Sequence, residues 1–304
     1  MKRPHYTKTI SVLLLLFAFF SAFAQKEIYF RLNLKEGACF EVQSTYLSQS
    51  ISSEGKEKQE NKIENTITVQ YNVVKKTPAF YSLNFMYTDY YSTMKMGMKE
   101  ITTNPKTADM LNFLAPSTQI AMIMNKPFFA NISPQGKILS IKENKSIAKE
   151  FEAKTKKLSP DLREQVYTMV NALVGNESLV ALIKSWTSYI PDSAVKIGDK
   201  WSIQKDSSVT NYAFITETDS TYVIEGVGNR KTTMTNKIQG MVLIVNYEEE
   251  FTTTIEIDKH TFLPKIITTE SEVLTKSEMP DYPTFSMPPS QSYSTSTLKI
   301  SNCR

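Results

Sequence analysis

Nucleophile, base and metal chemistry have little to work with in this chain. Its 304 residues hold two histidines and two cysteines. His5 lies in an N-terminal stretch patterned like an export signal, which leaves His260 for the rest. A single imidazole cannot build a multi-histidine metal site. A Ser–His–acid arrangement would have to use His260, which sits in the turn sequence Asp258-Lys259-His260-Thr261, and no Gly-x-Ser-x-Gly elbow accompanies it. Cys39 and Cys303 lack the close spacing of a zinc or redox motif, and there is no glycine-rich phosphate loop. Glu248-Glu249-Glu250 is the densest acidic run. On a strand its neighbours point to opposite faces, so it reads as a charged strand edge that discourages aggregation. Glycosidase chemistry would need two carboxylates about 5–9 Å apart in a cleft. The residue inventory implies a non-catalytic protein with no cofactor and no metal.

The aromatic load is the stronger signal. The chain carries 15 Tyr, 16 Phe and 2 Trp. Phe128, Phe129, Trp186 and Trp201 are the first candidates for contacts to an apolar ligand, with a packed core as the competing fate of each.

These side chains must be positioned by mostly β sequence. Ile28, Phe30, Leu32 and Leu34 alternate with polar residues, and Cys39 to Leu47 continues as a second strand. Ser48 to Asn61 is polar and reads as an exposed hairpin tip. Ile67, Val69, Tyr71 and Val73, then Tyr81, Leu83, Phe85 and Tyr87, give a half-buried antiparallel hairpin. Gln119 to Met124 reads as a short strand. Asn125 to Ile141 reads as strand, turn, strand, with Ser133-Pro134-Gln135-Gly136 as the turn.

Helical sequence follows. Ser159-Pro160-Asp161 carries a capping hydroxyl, Pro at the first helical position and an acid near the positive dipole end. Gly175 is placed to end that helix and Asn176 to cap the next, whose buried face is Leu179, Leu182, Ile183 and Trp186. From Lys196 strand-like pieces resume; Glu278 to Ser290 is a Pro-rich loop, and Tyr293 to Ser301 a final edge strand. Lys35 to Gln43 echoes Lys196 to Gln204, as two related half-sheets or one continued sheet would require.

The expected fold is α+β and mostly antiparallel β, with a curved sheet or sheets packed on two or three central helices inserted mid-chain. The expected organisation is a signal peptide over 1–24, an N-terminal β region over 25–142, a helical segment over 143–190 and a C-terminal β region over 191–304. The two β regions form one composite domain or two related lobes.

Lys2, Arg3 and Lys8, the apolar run Ile10 to Phe20 and the small residues Ala22 and Ala24 make the three parts of a cleavable signal, and no Cys follows to take a lipid. The expected mature protein is exported, to the periplasm or beyond, without a transmembrane segment. Cleavage removes three basic residues and no acidic ones, so the net charge drops from +4 to +1. A near-neutral surface argues against nucleic acid as a partner. In an oxidising compartment Cys39 and Cys303 either pair or remain two idle thiols, and both stay open at this point. A bridge between them would close a very long loop, worth about 5 kcal/mol in the chain-entropy account.

Asn125-Lys126-Pro127-Phe128, Ile132 to Ile138, Tyr189-Ile190-Pro191-Asp192 and Val195 to Trp201 together resemble a family of exported Bacteroidota proteins of unknown function. The likeness covers most of the mature chain and brings no catalytic residues with it. Asp258-Lys259-His260-Thr261 followed by Leu263-Pro264 is similar, more weakly, to a hairpin of periplasmic lipoprotein carriers. That resemblance implies a curved antiparallel sheet wrapped around helices and an apolar hollow. The expected function is therefore a non-catalytic envelope protein that binds or carries an apolar ligand. A structural or assembly protein that binds another envelope protein is the alternative, and a hydrolase with unrecognised carboxylates the third.

Overall fold

A computed structural model of the chain describes residues 26–303, apart from 55–56, 110–111, 113–114, 143, 206–207, 239–240 and 281–288. The signal expected at 1–24 and most of the loop expected over 278–290 lie outside the described residues.

Strands β1 (Cys39–Glu54), β2 (Glu57–Lys76), β3 (Tyr81–Met96) and β4 (Lys99–Thr103) lead to a short helix, α1 (Pro116–Ala121), and to β5 (Phe128–Ile132) and β6 (Ile138–Lys142). Helices α2 (Lys145–Thr155), α3 (Pro160–Val174) and α4 (Asn176–Thr187) follow. The chain then returns through β7 (Lys200–Lys205), β8 (Ser208–Glu217), β9 (Thr221–Ile238), β10 (Met241–Asp258), β11 (Pro264–Glu278) and β12 (Ser290–Asn302). All of these strands join one antiparallel sheet in the order β6-β5-β3-β2-β1-β12-β11-β10-β9-β8-β7, with β4 on the far end of β3. The sheet is curved and open: β6 and β7 end it without meeting.

The two halves join at β1 and β12, which pair from Phe40↔Asn302 to Ile51↔Gln291. Beside this seam Cys39 and Cys303 form a disulfide, with Cα atoms 5.4 Å apart although the two stand 264 positions apart in sequence.

Register decides which side chains share the inner face, because alternate residues of a strand point to opposite sides. Phe40 pairs with Tyr71, Tyr71 with Phe85, and Phe85 with Phe128. Their rings form a continuous row across β1, β2, β3 and β5, with centroids 5.2, 5.4 and 5.6 Å apart. Trp186 of α4 lies edge-on to Phe40 and Tyr71, at 5.5 and 5.4 Å. Leu179 and Ile183 of α4 and Val166 and Val170 of α3 belong to the same buried cluster.

The expected hairpin over Asn125 to Ile141 is present as β5 and β6. Gly136 N–H donates to the Ser133 carbonyl at 2.9 Å, and Gly136 adopts φ +75°. A Cβ there would lie 2.7 Å from Thr187 Cβ at the end of α4. Gly136→Ala therefore meets both left-handed strain and a clash, and about 1–3 kcal/mol of stability is expected to go. Gly97, at φ +58° with open space around it, is the control: in urea denaturation Gly97→Ala should show the smaller loss.

Ser159 caps α3 as its sequence implies, its hydroxyl accepting from Leu162 N–H, with Pro160 at the first helical position. Six expectations need correction. Tyr293 to Ser301 is not an edge strand: β12 lies inside the sheet, paired with β1 on one side and β11 on the other. Glu248-Glu249-Glu250 is not on an edge either, since β10 pairs with both β9 and β11. Asn176 is the first residue of α4 and Gly175 takes the cap position, because a Cβ at 175 would meet the Asn171 carbonyl oxygen at 2.6 Å. Gln119 to Met124 is not a strand: Pro116 starts α1, and the chain leaves it at Asn125 with φ +57°. The hairpin expected over Ser48 to Asn61 is present, but it is paired strand and not loop over most of that length, since β1 and β2 pair on through Glu54↔Glu57. Polar residues on both faces hid those strand ends, although their backbones pair like any other. Residues 27 to 34 are extended and bury Ile28, Phe30, Leu32 and Leu34 but do not form a ladder strand. This segment is a strap held by a bridge to Val195 and by N–H groups of Leu32 and Asn33 donating to Pro134 and Thr261 carbonyls.

The echo between Lys35 to Gln43 and Lys196 to Gln204 has a structural counterpart. Gly37 (φ +79°) and Gly198 (φ +93°) both have left-handed backbones just before β1 and β7. Gly37 N–H donates to Val73 and Val73 N–H to Ala38; Gly198 N–H donates to Phe214 and Phe214 N–H to Asp199. Phe40 then stacks on Tyr71 as Trp201 stacks on Tyr212.

Candidate ligand groove

Where the inner face of β1, β2 and β3 meets α3 and α4, the packing leaves a groove of about 330 Å³. Val42, Ser44, Ile67, Val69, Tyr71 and Tyr87 form the sheet wall, and Leu173 and Leu182 are the largest residues on the helix wall. The sheet wall follows from register, since Val42↔Val69 and Val69↔Tyr87 are paired neighbours. The helix wall follows from the apolar faces of α3 and α4 where they converge at Gly175. Small residues, Ala172, Ser178, Ala181 and Ser185, keep the helix side open. No Lys, Arg, His, Asp or Glu is among the described lining residues.

The hydroxyls along the groove are mostly engaged. Tyr87 Oη donates to the Leu173 carbonyl at 2.8 Å, Ser178 Oγ to Ala172 and Ser185 Oγ to Leu182, both at 2.7 Å. Tyr71 differs. It is fully buried, and neither its Oη nor the neighbouring Trp186 Nε1 has a hydrogen-bond partner among the described residues. Burial raises the pKa of Tyr71 far above the usual phenol range, and Tyr87 is raised by burial as well. Both are neutral donors at physiological pH.

The four aromatic candidates do not converge here. Phe128 is buried in the aromatic row against Phe85 and Tyr87. Phe129, next in the strand, faces outward and is 45% exposed beside Ser82, Asn131 and Lys142. Trp186 sits behind the groove, against Tyr71. Trp201 belongs to the other half of the sheet, where its indole N–H donates to the Tyr189 carbonyl at 3.1 Å. The residues that do line the groove stood in the sequence as alternating strand positions and helix faces, but nothing local marks that they meet.

His260 lies in the β10–β11 turn, with its backbone carbonyl accepting from Asn33 Nδ2 at 3.0 Å. Asp258 organises this turn: its Oδ1 accepts from His260 N–H, Thr261 N–H and the Thr261 hydroxyl at 2.9–3.0 Å. Partial burial pushes its carboxyl up, but these hydrogen bonds, with Lys265 nearby, outweigh it and hold the pKa below the usual Asp value. A depressed folded pKa means the stabilisation is complete above the unfolded value of about 4 and is lost as pH falls through the folded one. Unfolding measured from pH 5 down to pH 2 should therefore show wild type losing an advantage over Asp258→Asn in that acidic window.

A model of the family of unknown function DUF6263 matches residues 78–264, more than half of the 304-residue chain. The chain belongs to this family. The match spans β3 to the start of β11 and so includes α1 to α4. No curated protein matches this chain in sequence. Among solved structures, one titled for lipid–protein interactions in lipovitellin is similar at a TM-score of 0.49 and 12% identity, covering 90% of this chain and 26% of that one. The DUF6263 chain thus spans about a quarter of the lipovitellin chain. The COG4313 outer membrane channel from Pseudomonas putida F1 is similar at 0.23 and 7% identity, covering 89% of this chain and 98% of the channel. DynF from the dynemicin biosynthesis pathway of Micromonospora chersina is similar at 0.22 and 4%, covering 91% and 86%.

Proposed function

We propose that this DUF6263 protein is a non-catalytic exported envelope protein that holds or carries an apolar ligand between β1–β3 and the α3–α4 pair. The groove carries the reading. It is concave, mostly apolar, without Lys, Arg, His, Asp or Glu among its described lining residues and, at about 330 Å³, within the range of small-molecule sites. The Cys39–Cys303 bridge supports an oxidising compartment, as does the three-part N-terminal pattern. The run Pro160–Thr187 has the length and composition of a membrane span. Gly175 divides it, however, and Leu179, Ile183 and Trp186 lie in the core shared with the sheet, so the reading keeps it with the sheet. The non-catalytic part of the reading is supported by His260, which the fold places in a turn apart from the groove.

Solvent extraction of protein purified from its native envelope, followed by mass spectrometry, tests the proposal. A discrete apolar compound is expected from wild type and should be absent from Ala181→Trp, which fills the groove from its open side. Wild-type protein that yields nothing and binds no apolar dye would defeat it.

A second reading, docking to another envelope protein, has one observation in its favour. The β3–β4 end exposes Tyr91, Met96, Met98 and Ile101, with Met98 wholly in solvent. Crosslinking in whole cells that captures one defined partner, lost in Met98→Asp, would support it.

A further inference from the structure

We infer that the groove takes one unbranched acyl chain, to a limit of about eight to twelve carbons, and leaves the head of that chain in water. The inference rests on the ligand-holding reading above and names its ligand class.

Volume sets the upper limit. An apolar cavity of about 150 Å³ accepts a benzene molecule. On that scale the groove, at about 330 Å³, accepts roughly a dozen carbons. One acyl chain fits within this limit, and the paired chains of a diacyl lipid do not.

The course of α4 sets the length. Its start lies by β3, because Ser178 Oγ donates to Ala172 while Tyr87 Oη donates to the adjoining Leu173. Its end lies by β1 and β2, because Trp186 packs on Phe40 and Tyr71. The groove therefore runs with α4 across three strands. Ser178 to Ser185 spans about 10 Å of helix, and three neighbouring strands span about the same. A run of about 10 Å takes roughly eight carbons of an extended chain. At the Tyr87 end the sheet wall and the helix wall are joined by the Tyr87–Leu173 hydrogen bond of 2.8 Å. A chain lying along α4 from the Ser185 end meets that contact and stops.

The lining offers little to a head group. No Lys, Arg, His, Asp or Glu is among its described residues. The hydroxyls of Tyr87, Ser178 and Ser185 are engaged with helix carbonyls, which leaves the half-buried Ser44. A charged head drawn inside would lose its hydration with nothing on this wall to replace it. Ala172, Ala181 and Ser185 are exposed, so the helix side opens to solvent and the head stays wet there. The surface left for the chain is mainly branched aliphatic: Val42, Ile67, Val69, Leu173 and Leu182. The ring faces nearby are stacked on one another, Phe40 on Tyr71 and Tyr71 on Phe85, and so favour no flat ring ligand.

Titration calorimetry on the full mature chain, stripped of co-purified lipid, tests this with alkanoates from hexanoate to hexadecanoate at pH 8. The dissociation constant is expected to fall roughly three- to fourfold per added methylene for the short chains. It should level off between about eight and twelve carbons. Ser178→Leu, which fills the closed end, should bring that break down by about three carbons and leave hexanoate unchanged. Dodecanoyl lysophosphatidylcholine, with the same chain on a different head, should bind within about threefold of dodecanoate. Affinity that climbs steadily to hexadecanoate, a strong preference for one of the two heads, or an unmoved break in Ser178→Leu overturns the inference. Should that variant not fold, the wild-type series decides. Wild type that binds N-phenyl-1-naphthylamine but no alkanoate defeats this inference alone; wild type that binds neither defeats the ligand reading with it.

Discussion

Replacing Cys39 and Cys303 together by serine is expected to lower the unfolding free energy by about 2–5 kcal/mol and the melting temperature by roughly 5–15 °C. The two residues stand 264 apart in sequence, yet their Cα atoms are 5.4 Å apart at one end of the β1–β12 seam. In the native protein the seam holds the two ends together, so the bond acts mainly on the unfolded chain, whose freedom it restricts. Urea denaturation of wild type with and without reductant, beside the double mutant, checks this. Reduced wild type and Cys39→Ser/Cys303→Ser should coincide, and both should fall below oxidised wild type. If oxidised and reduced protein unfold together, the seam needs no covalent tie.

Trp186→Ala is expected to cost about 3–5 kcal/mol, the upper range for truncating a buried aromatic. Trp186 is fully buried and joins α4 to β1 and β2 through Phe40 and Tyr71. Truncation would leave a void next to the existing groove and strip one flank of the aromatic row. Trp186→Phe separates two contributions. It keeps most of the ring contact and deletes an N–H that has no hydrogen-bond partner within the described residues, so its loss should be well under half that of Trp186→Ala. Guanidinium denaturation midpoints, with slopes compared to check that the unfolding remains a single transition, give the answer.

Much of this architecture was legible from short-range patterns. Ile67 to Val73 and Tyr81 to Tyr87 alternate cleanly because one face of their hairpin is buried and the other wet. Ser159-Pro160 marks the start of α3 because a capping oxygen and a fixed φ do the same work in any helix. Pro134 and Gly136 mark the β5–β6 turn for equally local reasons. What escaped the sequence depended on distant partners. The ends of β1 and β2 run past the core, so neither face is selectively apolar and the period of two disappears. Ile120, Met122 and Ile123 are apolar enough for a strand, and Pro116, several residues upstream, was the better guide. The pairing of Cys39 with Cys303 became decidable only when β12 was placed beside β1. The groove has the same character: Tyr71 and Tyr87 read as ordinary inward strand residues, and their relation to Leu173 and Leu182 comes from helices more than 80 residues further along. Phe128 and Phe129 drew notice for their size, but adjacent positions on a strand had to part, and the fold sends one into the core and the other to solvent.

The seam between β1 and β12 also sets an order of events. Most other strand pairs in the sheet join neighbours in sequence and can form as soon as a hairpin is complete. This pair cannot form until the final strand exists, so it closes the longest loop in the molecule and belongs late in folding. Until then β1 and β11 each present a long unpaired edge, open to pairing with another copy of the chain. A chain cut short before Ser290 would keep both edges for its lifetime, and would be expected to accumulate as aggregate and not as a smaller soluble sheet.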